Sequence, residues 1–281
     1  MNQKKKTNKL IFFDTSDSSS FLINDALELS DVYLKNQILK NKNLYLKNFY
    51  GRRIFSDYYN KKFGIKDKSP EKFVIPNKTN LKKIKISWNS CFANYSYFGN
   101  YFIKIFEYTK NPFFLKYPRT CINFNKKYMD LNCRMSLKYS KNSISFQRKK
   151  IEEILKKKYS FNKVSRIKYF YELNKSKVLI SPFGYGEINL KDFEAFLYGC
   201  VLLKPSMDHL HTWPNLYLKN NTFVSFKWDF SDMLSKLYTI LDNYNHYQGY
   251  AENAKIFYEK ILHSNEFHEI FCKRFIEIIK D

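Results

Sequence analysis

Glycine is scarce in this chain: only seven of its 281 residues are glycine, and three of those, Gly184, Gly186 and Gly199, fall between positions 181 and 200. Glycine is needed where the backbone takes φ > 0 or must approach another group more closely than a β-carbon permits. A chain that manages elsewhere with so little of it marks this run as the place where its backbone is most constrained.

The run reads as strand, loop, helix, strand. Val178, Leu179 and Ile180 form a short branched apolar stretch suited to a buried strand, and Pro182 ends it. Asn189 is a strong N-cap residue with Asp192 at the capping-box position, which predicts a helix over 190–198, and Gly199 suits the left-handed residue just past its end. Phe193, Phe196, Leu197 and Cys200 recur at i, i+3, i+4 and i+7 and predict its buried face. A second strand follows at 201–205. The strands of such a unit run parallel, and parallel sheets take ligands at the carboxyl ends of their strands. The glycine loop then stands at the binding crevice, where helix N-terminal amides can hold an anion such as phosphate.

The segment from Ser181 to Glu187, together with Asp192, Phe193, Glu194, Ala195, Gly199, Lys204, Pro205 and the stretch from His209 to Pro214, resembles part of a known family. It is similar to the nucleotide-sugar-binding half of GT-B type glycosyltransferases, most closely the group 1-like members and more distantly the exostosin-like ones. The likeness continues to Asp232 and is fainter at 142–148 and 55–59. What it implies is an α/β fold of two Rossmann-like domains facing a central cleft, with the first domain reduced because the chain is short for the class. It also implies transfer of a sugar from a nucleotide-sugar donor to a saccharide or lipid-linked acceptor. Phe183 would belong to the donor site, with the amides of Gly184, Tyr185 and Gly186 against the pyrophosphate. Glu194 would accept from the ribose hydroxyls, and Glu187 would meet the transferred sugar. Six residues stand between Glu187 and Glu194, one fewer than is usual in the family, and His211 stands where close relatives carry an acid.

The aspartate-x-aspartate metal motif of the other large glycosyltransferase class is absent from the sequence. No metal and no cofactor are expected, the nucleotide sugar being a co-substrate. Donor phosphates would be neutralised by helix amides and by cations, for which Arg134, Arg148 and Lys204 are the candidates. His209 either donates to a donor phosphate or braces the loop that carries Trp213.

Charge alone points elsewhere and is discounted. Lys plus Arg number 49 against 26 Asp plus Glu, a net +23, which ordinarily suggests nucleic acid. Yet only seven of these cations are arginine, and the chain is rich in Asn, Ile, Phe and Tyr, the signature of an AT-rich genome. Nucleic acid is therefore not the expected partner, although such a charge draws anions, including sugar nucleotides and acidic membrane surfaces. The five cysteines are scattered and without Cys-x-x-Cys spacing, which fits a reducing cytoplasm. No stretch approaches the ~20 apolar residues needed to span a bilayer. The basic start of the chain, residues 1–10, precedes an apolar run too short for a signal peptide. A cytoplasmic protein, peripheral at most to the inner face of a membrane, is the reading.

Upstream, strands are expected over 9–14, 31–35 and 82–88. The first ends in Asp14 and a Ser-rich loop containing Asp17, and either aspartate is a candidate general base for the acceptor hydroxyl. The aromatic-rich stretch 95–108 predicts a helix packed into the core. Residues 111–118 read as the linker between an acceptor-side domain (1–110) and a nucleotide-sugar-binding domain (119–265). Helices are expected over 142–159 and 165–174 and from near 230, 250 and 265, the last (266–281) crossing back to the first domain. Two readings compete with a metal-independent glycosyltransferase: a GT-B-fold binding protein without catalysis, and a basic nucleic-acid-associated protein.

Overall fold

In a computed structural model describing residues 9–72, 74–117 and 119–280, the chain is α/β and seven of the nine described strands lie in two parallel sheets. Strands β1 (Ile11–Asp14) and β2 (Val32–Lys35) come first, β3 (Gln37–Leu39) follows at once, and β4 (Ile84–Ile86) completes a sheet ordered β1-β2-β4. The second sheet is ordered β5 (Met129–Asn132), β6 (Ser176–Ile180), β7 (Val201–Pro205) and β9 (Phe223–Phe226). Between the last two in the chain lies β8 (Leu210–Thr212), which pairs antiparallel with β3 and so joins the two sheets. Every residue of β7 and β9 is buried, the pattern of strands covered on both faces.

The glycine-containing run folds as its local signals predict. Helix α6 (Leu190–Leu197) is opened by Asn189, whose side chain accepts from the Lys191 amide while Asp192 reaches back to the Asn189 amide. Gly199 takes φ +60° beyond its end. Phe193, Phe196 and Cys200 are inaccessible to solvent and Leu197 nearly so, each phenylalanine contributing about 2 kcal/mol by burial. The helices packed around this sheet include α4 (Asn142–Leu155), α5 (Arg166–Lys175), α7 (Met233–Asp242) and α8 (Tyr244–His263). Phe55 and Tyr59 of α2 (Ile54–Phe63), upstream of the expected linker, belong to this larger core. The smaller core lies under β1-β2-β4.

Helix α9 (Asn265–Lys280) returns to the first sheet: Phe271 and Phe275 pack on Trp88, Arg274 donates to the Ile86 carbonyl, and Ile278 is buried with Val32 and Leu34. Part of the expected linker, Pro112–Leu115, is a 3-10 turn, while Pro118 lies outside the described residues. So does the basic start of the chain, residues 1–8.

One expectation is overturned in part. Tyr95 and Tyr97 pack on Phe193 and Phe170 of the larger core, but in the aromatic helix that follows, α3 (Gly99–Thr109), only the glycine is buried, so the rings of the helix itself do not fill the core. Its Phe102 packs instead on Phe114 of the following turn. No described helix is long and apolar enough to cross a membrane.

Candidate functional site

The loop leaving β1 and the loop leaving β6 meet at the carboxyl edges of the two sheets. The first is held at its root by Asp14, which takes Lys35 Nζ at 2.9 Å and Tyr33 Oη at 2.5 Å, all three side chains lying inside the fold. Burial works against the Asp14 charge, but Lys35, Ser16 and Tyr33 together hold its carboxyl below the ordinary aspartate range. The second loop contributes Glu187, fully buried, which accepts from the Ser19 amide at 2.9 Å, from Ser19 Oγ at 2.6 Å and lies 3.2 Å from His209 Nε2. Burial again opposes ionisation, and His209 and Ser19 overcome it, leaving Glu187 below its usual value.

The two glycines of this loop differ. A β-carbon on Gly186 would stand 2.6 Å from the Ser18 amide nitrogen and 2.9 Å from Gln37 Nε2, so the close approach there is to the protein's own first loop. At Gly184 the nearest atoms are Arg148 Nη2 and Asn189 Nδ2, at 3.9 and 4.0 Å, ordinary contact distances that would admit a β-carbon. The loop's amides are partly committed: Phe183 donates to Gln147 Oε1 and Gly184 to the Gly186 carbonyl. Tyr185 is fixed by Arg53, whose Nε donates to its carbonyl at 2.9 Å, and by Ser140, 3.1 Å from its hydroxyl.

Arg148 is the unusual group. It is 3% exposed, and its described partners are the carbonyls of Phe183 (3.3 Å) and Ser136 (3.4 Å) and the face of Tyr139 at 4.8 Å. No described carboxylate pairs with it, and its buried Nε has no acceptor among the described residues. Burial accordingly lowers its pKa. A buried cation without a counter-charge costs several kcal/mol, of order 3–5 by comparison with broken ion pairs. Beside it, Lys191 at the start of α6 is pushed down to about 8 by burial, with Glu194 opposing the shift and Arg148 adding to it.

Two cavities open here. One of about 440 Å³ lies between the loops, lined by Asp17, Phe21, Arg52, Arg53, Glu71 and Tyr185. Asp17 is exposed to it, and desolvation of its carboxyl against the wall raises its pKa in spite of Arg53 and Lys35. The other, about 240 Å³, is lined by Arg134, Ser136, Lys163, Tyr169 and Lys191. A larger cavity, about 640 Å³, includes Lys127 and Lys177 at the opposite, amino end of the second sheet, away from the crevice where ligands of parallel sheets bind.

The other sequence candidates are engaged by protein partners. Arg134 forms two bonds with Glu172, at 2.8 and 2.9 Å. Lys204, expected at a phosphate, is inaccessible to solvent and pairs with Asp192 at 3.0 Å beneath the Phe183 ring. Asp192 also takes Ser181 Oγ and Tyr217 Oη, so the pair is an internal brace of the loop. Glu194 accepts from Tyr169, whose hydroxyl also takes Lys191 Nζ at 3.2 Å. Phe183 is buried between Phe55 and Trp228. His209 touches Glu187 and the ring of Trp228, and His211 lies outside these contacts, opposite Ile38 in the β3-β8 ribbon.

Lys191, Arg52, Arg53 and Glu71 were not singled out by sequence. Lys191 is hidden among many lysines; the adjacent arginines carry a signal in their rarity, two of only seven in the chain. Among the described residues there is no group of three His, Cys, Asp or Glu side chains arranged to hold a metal ion. No protein-family model matches the chain, and no curated protein matches it in sequence.

Proposed function

We propose that this chain is a glycosyltransferase of GT-B type that moves a sugar from a nucleoside diphosphate to a hydroxyl of a saccharide or lipid-linked acceptor. The observation that carries the reading is Arg148, a buried cation without a described carboxylate partner, held in contact range of Gly184 at the carboxyl edge of a parallel sheet and bonded to the carbonyl of Ser136, which lines the cavity shared with Lys191. A diphosphate seated there supplies the missing counter-charge, with Lys191 as a second cation close by. The capping box already serves the first amides of α6, so side-chain cations carry more of the anion's charge than the helix terminus does.

In this reading the acceptor occupies the cavity between the loops, where Arg52 stacks on Phe21 and Arg53 lies over Tyr185, a mixture of rings and polar groups suited to sugar. Asp17 takes the proton of the acceptor hydroxyl. The acceptor's hydroxyl oxygen bonds to the anomeric carbon as the bond from that carbon to the diphosphate oxygen breaks. The nucleoside diphosphate leaves with the electron pair, its charge balanced by Arg148 and Lys191. The resemblance in 181–232 supports the same class and assigns the ribose to Glu194, which must exchange its bond with Tyr169 for one to the ligand.

The test is a thermal-shift screen of uridine, guanosine, adenosine and thymidine diphosphates and their sugars, since a ligand binding only the native state raises its melting temperature. One or more nucleotides stabilising wild type but not Arg148→Met supports the reading. Stabilisation by none of them, or equal stabilisation of both proteins, overturns it.

A further inference from the structure

Helix α3 and the turn after it carry a surface that the cleft does not use. Phe98, Tyr101, Ile105 and Tyr108 recur at steps of three and four residues along one helical face, and all four are exposed, Tyr108 to 92%. Phe113 and Leu115 of the adjoining turn are exposed as well. Six large apolar side chains exposed within eighteen consecutive residues are a patch, not scattered singletons. None of them serves the core, because α3 buries only Gly99.

Charge identifies what covers this surface. Lys104, Lys110 and Lys116 are interleaved with the apolar residues, against the single acid Glu107. A second copy of the chain, itself carrying +23, would set lysines against lysines. An anionic lipid surface offers both halves of the match, acyl chains for the rings and negative headgroups for the ammonium groups. Tyrosine suits that boundary, having an apolar ring and a hydrogen-bonding tip, and lysine reaches the headgroups on its flexible stem. Eleven residues of helix span about 16 Å, too little to cross a bilayer, so α3 would lie in the interface plane.

We infer that the segment 98–116 is an interfacial element that docks the protein on an anionic membrane. It rests on none of the residues assigned to sugar transfer, so it stands or falls apart from that reading.

The experiment is sedimentation of the full chain with phosphatidylcholine vesicles, with and without phosphatidylglycerol, at fixed salt. Wild type is expected to pellet with the anionic vesicles and to remain largely in solution with the neutral ones. Tyr101→Ser/Ile105→Ser/Tyr108→Ser should weaken binding by about tenfold or more while leaving the melting temperature unchanged, because these side chains are exposed. Lys104→Glu/Lys110→Glu/Lys116→Glu, which leaves every apolar residue in place, should weaken it by about a hundredfold, reading about 1 kcal/mol for each cation removed. Wild type that ignores anionic vesicles, or binding unchanged in both variants, overturns the inference. So does a concentration-dependent dimer abolished by the serine variant with vesicle binding intact, which would assign the patch to a second copy.

Discussion

The amide and hydroxyl of Ser19 both donate to the Glu187 carboxylate, at 2.9 and 2.6 Å, joining loops that leave two different sheets. The carboxylate is fully buried, so these bonds are made where water cannot replace them. The same two loops supply Asp17 and Tyr185 to the cavity between them.

Glu187→Gln keeps the shape and removes the charge. It should cost about 1–3 kcal/mol of stability at neutral pH in a urea titration. The pH dependence has a definite sign. Because Glu187 sits below its usual 4.5 in the folded protein, its contribution is complete above that value and is lost as pH falls through the lower folded value. Wild type should therefore lose stability on acidification more steeply than the variant. Parallel acid limbs would mean that the link holds no differential charge energy.

Arg148→Met should separate ligand binding from folding. The substitution removes a buried charge that lacks a carboxylate partner among the described residues, so the melting temperature of the free protein should stay level or rise, while stabilisation by nucleotide disappears. A large drop in the melting temperature of the free protein would instead show that the carbonyls of Phe183 and Ser136 are sufficient partners.

The glycines make a paired test. Gly186→Ala forces a β-carbon to within 2.6 Å of the Ser18 backbone and should destabilise by about 1–3 kcal/mol. Gly184→Ala meets nothing closer than 3.9 Å and should fold as wild type, yet bind nucleotide several-fold more weakly because the methyl group enters the space beside Arg148. Reversed effects would exchange their roles.

The unit from β6 to β7 was legible because each boundary is marked by a local residue: Pro182 stops a strand, Asn189 and Asp192 open a helix, Gly199 closes it. What surrounds the unit was not. Ser19 and Glu187 are 168 residues apart, and a hydrogen bond across that distance leaves no pattern in either neighbourhood. Lys204 looks like any surface lysine, since a side chain's charge does not disclose that Asp192 waits for it inside the core. Arg148 was nominated as a phosphate ligand, but only packing reveals that it lacks a described carboxylate. The period of α3 was also misleading: aromatic residues at helical spacing mark a face that needs cover, and the spacing is the same whether the core or another surface covers it.

Lys191 predicts how nucleotide binding responds to alkaline pH. Its pKa is lowered from 10.5 to about 8, so the free protein loses this charge as pH rises past 8 while the unfolded chain keeps it until about 10.5. Nucleotide affinity should weaken above about pH 8, and over the same interval this lysine makes the free protein more stable, because the unfolded state binds the extra proton. Calorimetric titrations of wild type and Lys191→Gln at pH 7 and pH 9 test this. The variant should bind more weakly at pH 7 and show a smaller loss between the two values. An equal loss in both proteins would place the titrating group elsewhere.

Asp14, the last residue of β1, and Asp17, three residues on in the loop that follows, should respond oppositely to amide substitution. Asp14→Asn leaves Lys35 buried beside a neutral partner and should destabilise by about 3–5 kcal/mol. Asp17 faces the cavity with a raised pKa, which is what a base for an acceptor hydroxyl requires. Asp17→Asn should leave the melting temperature and nucleotide binding near wild type and reduce sugar transfer by about 10²–10⁴-fold. In wild type, transfer should rise with pH as this carboxyl ionises and level off above it, and the residual activity of the variant should lack that step. Transfer that survives Asp17→Asn with its pH profile unchanged would move the base to another group lining the cavity, of which Glu71 is the remaining carboxylate.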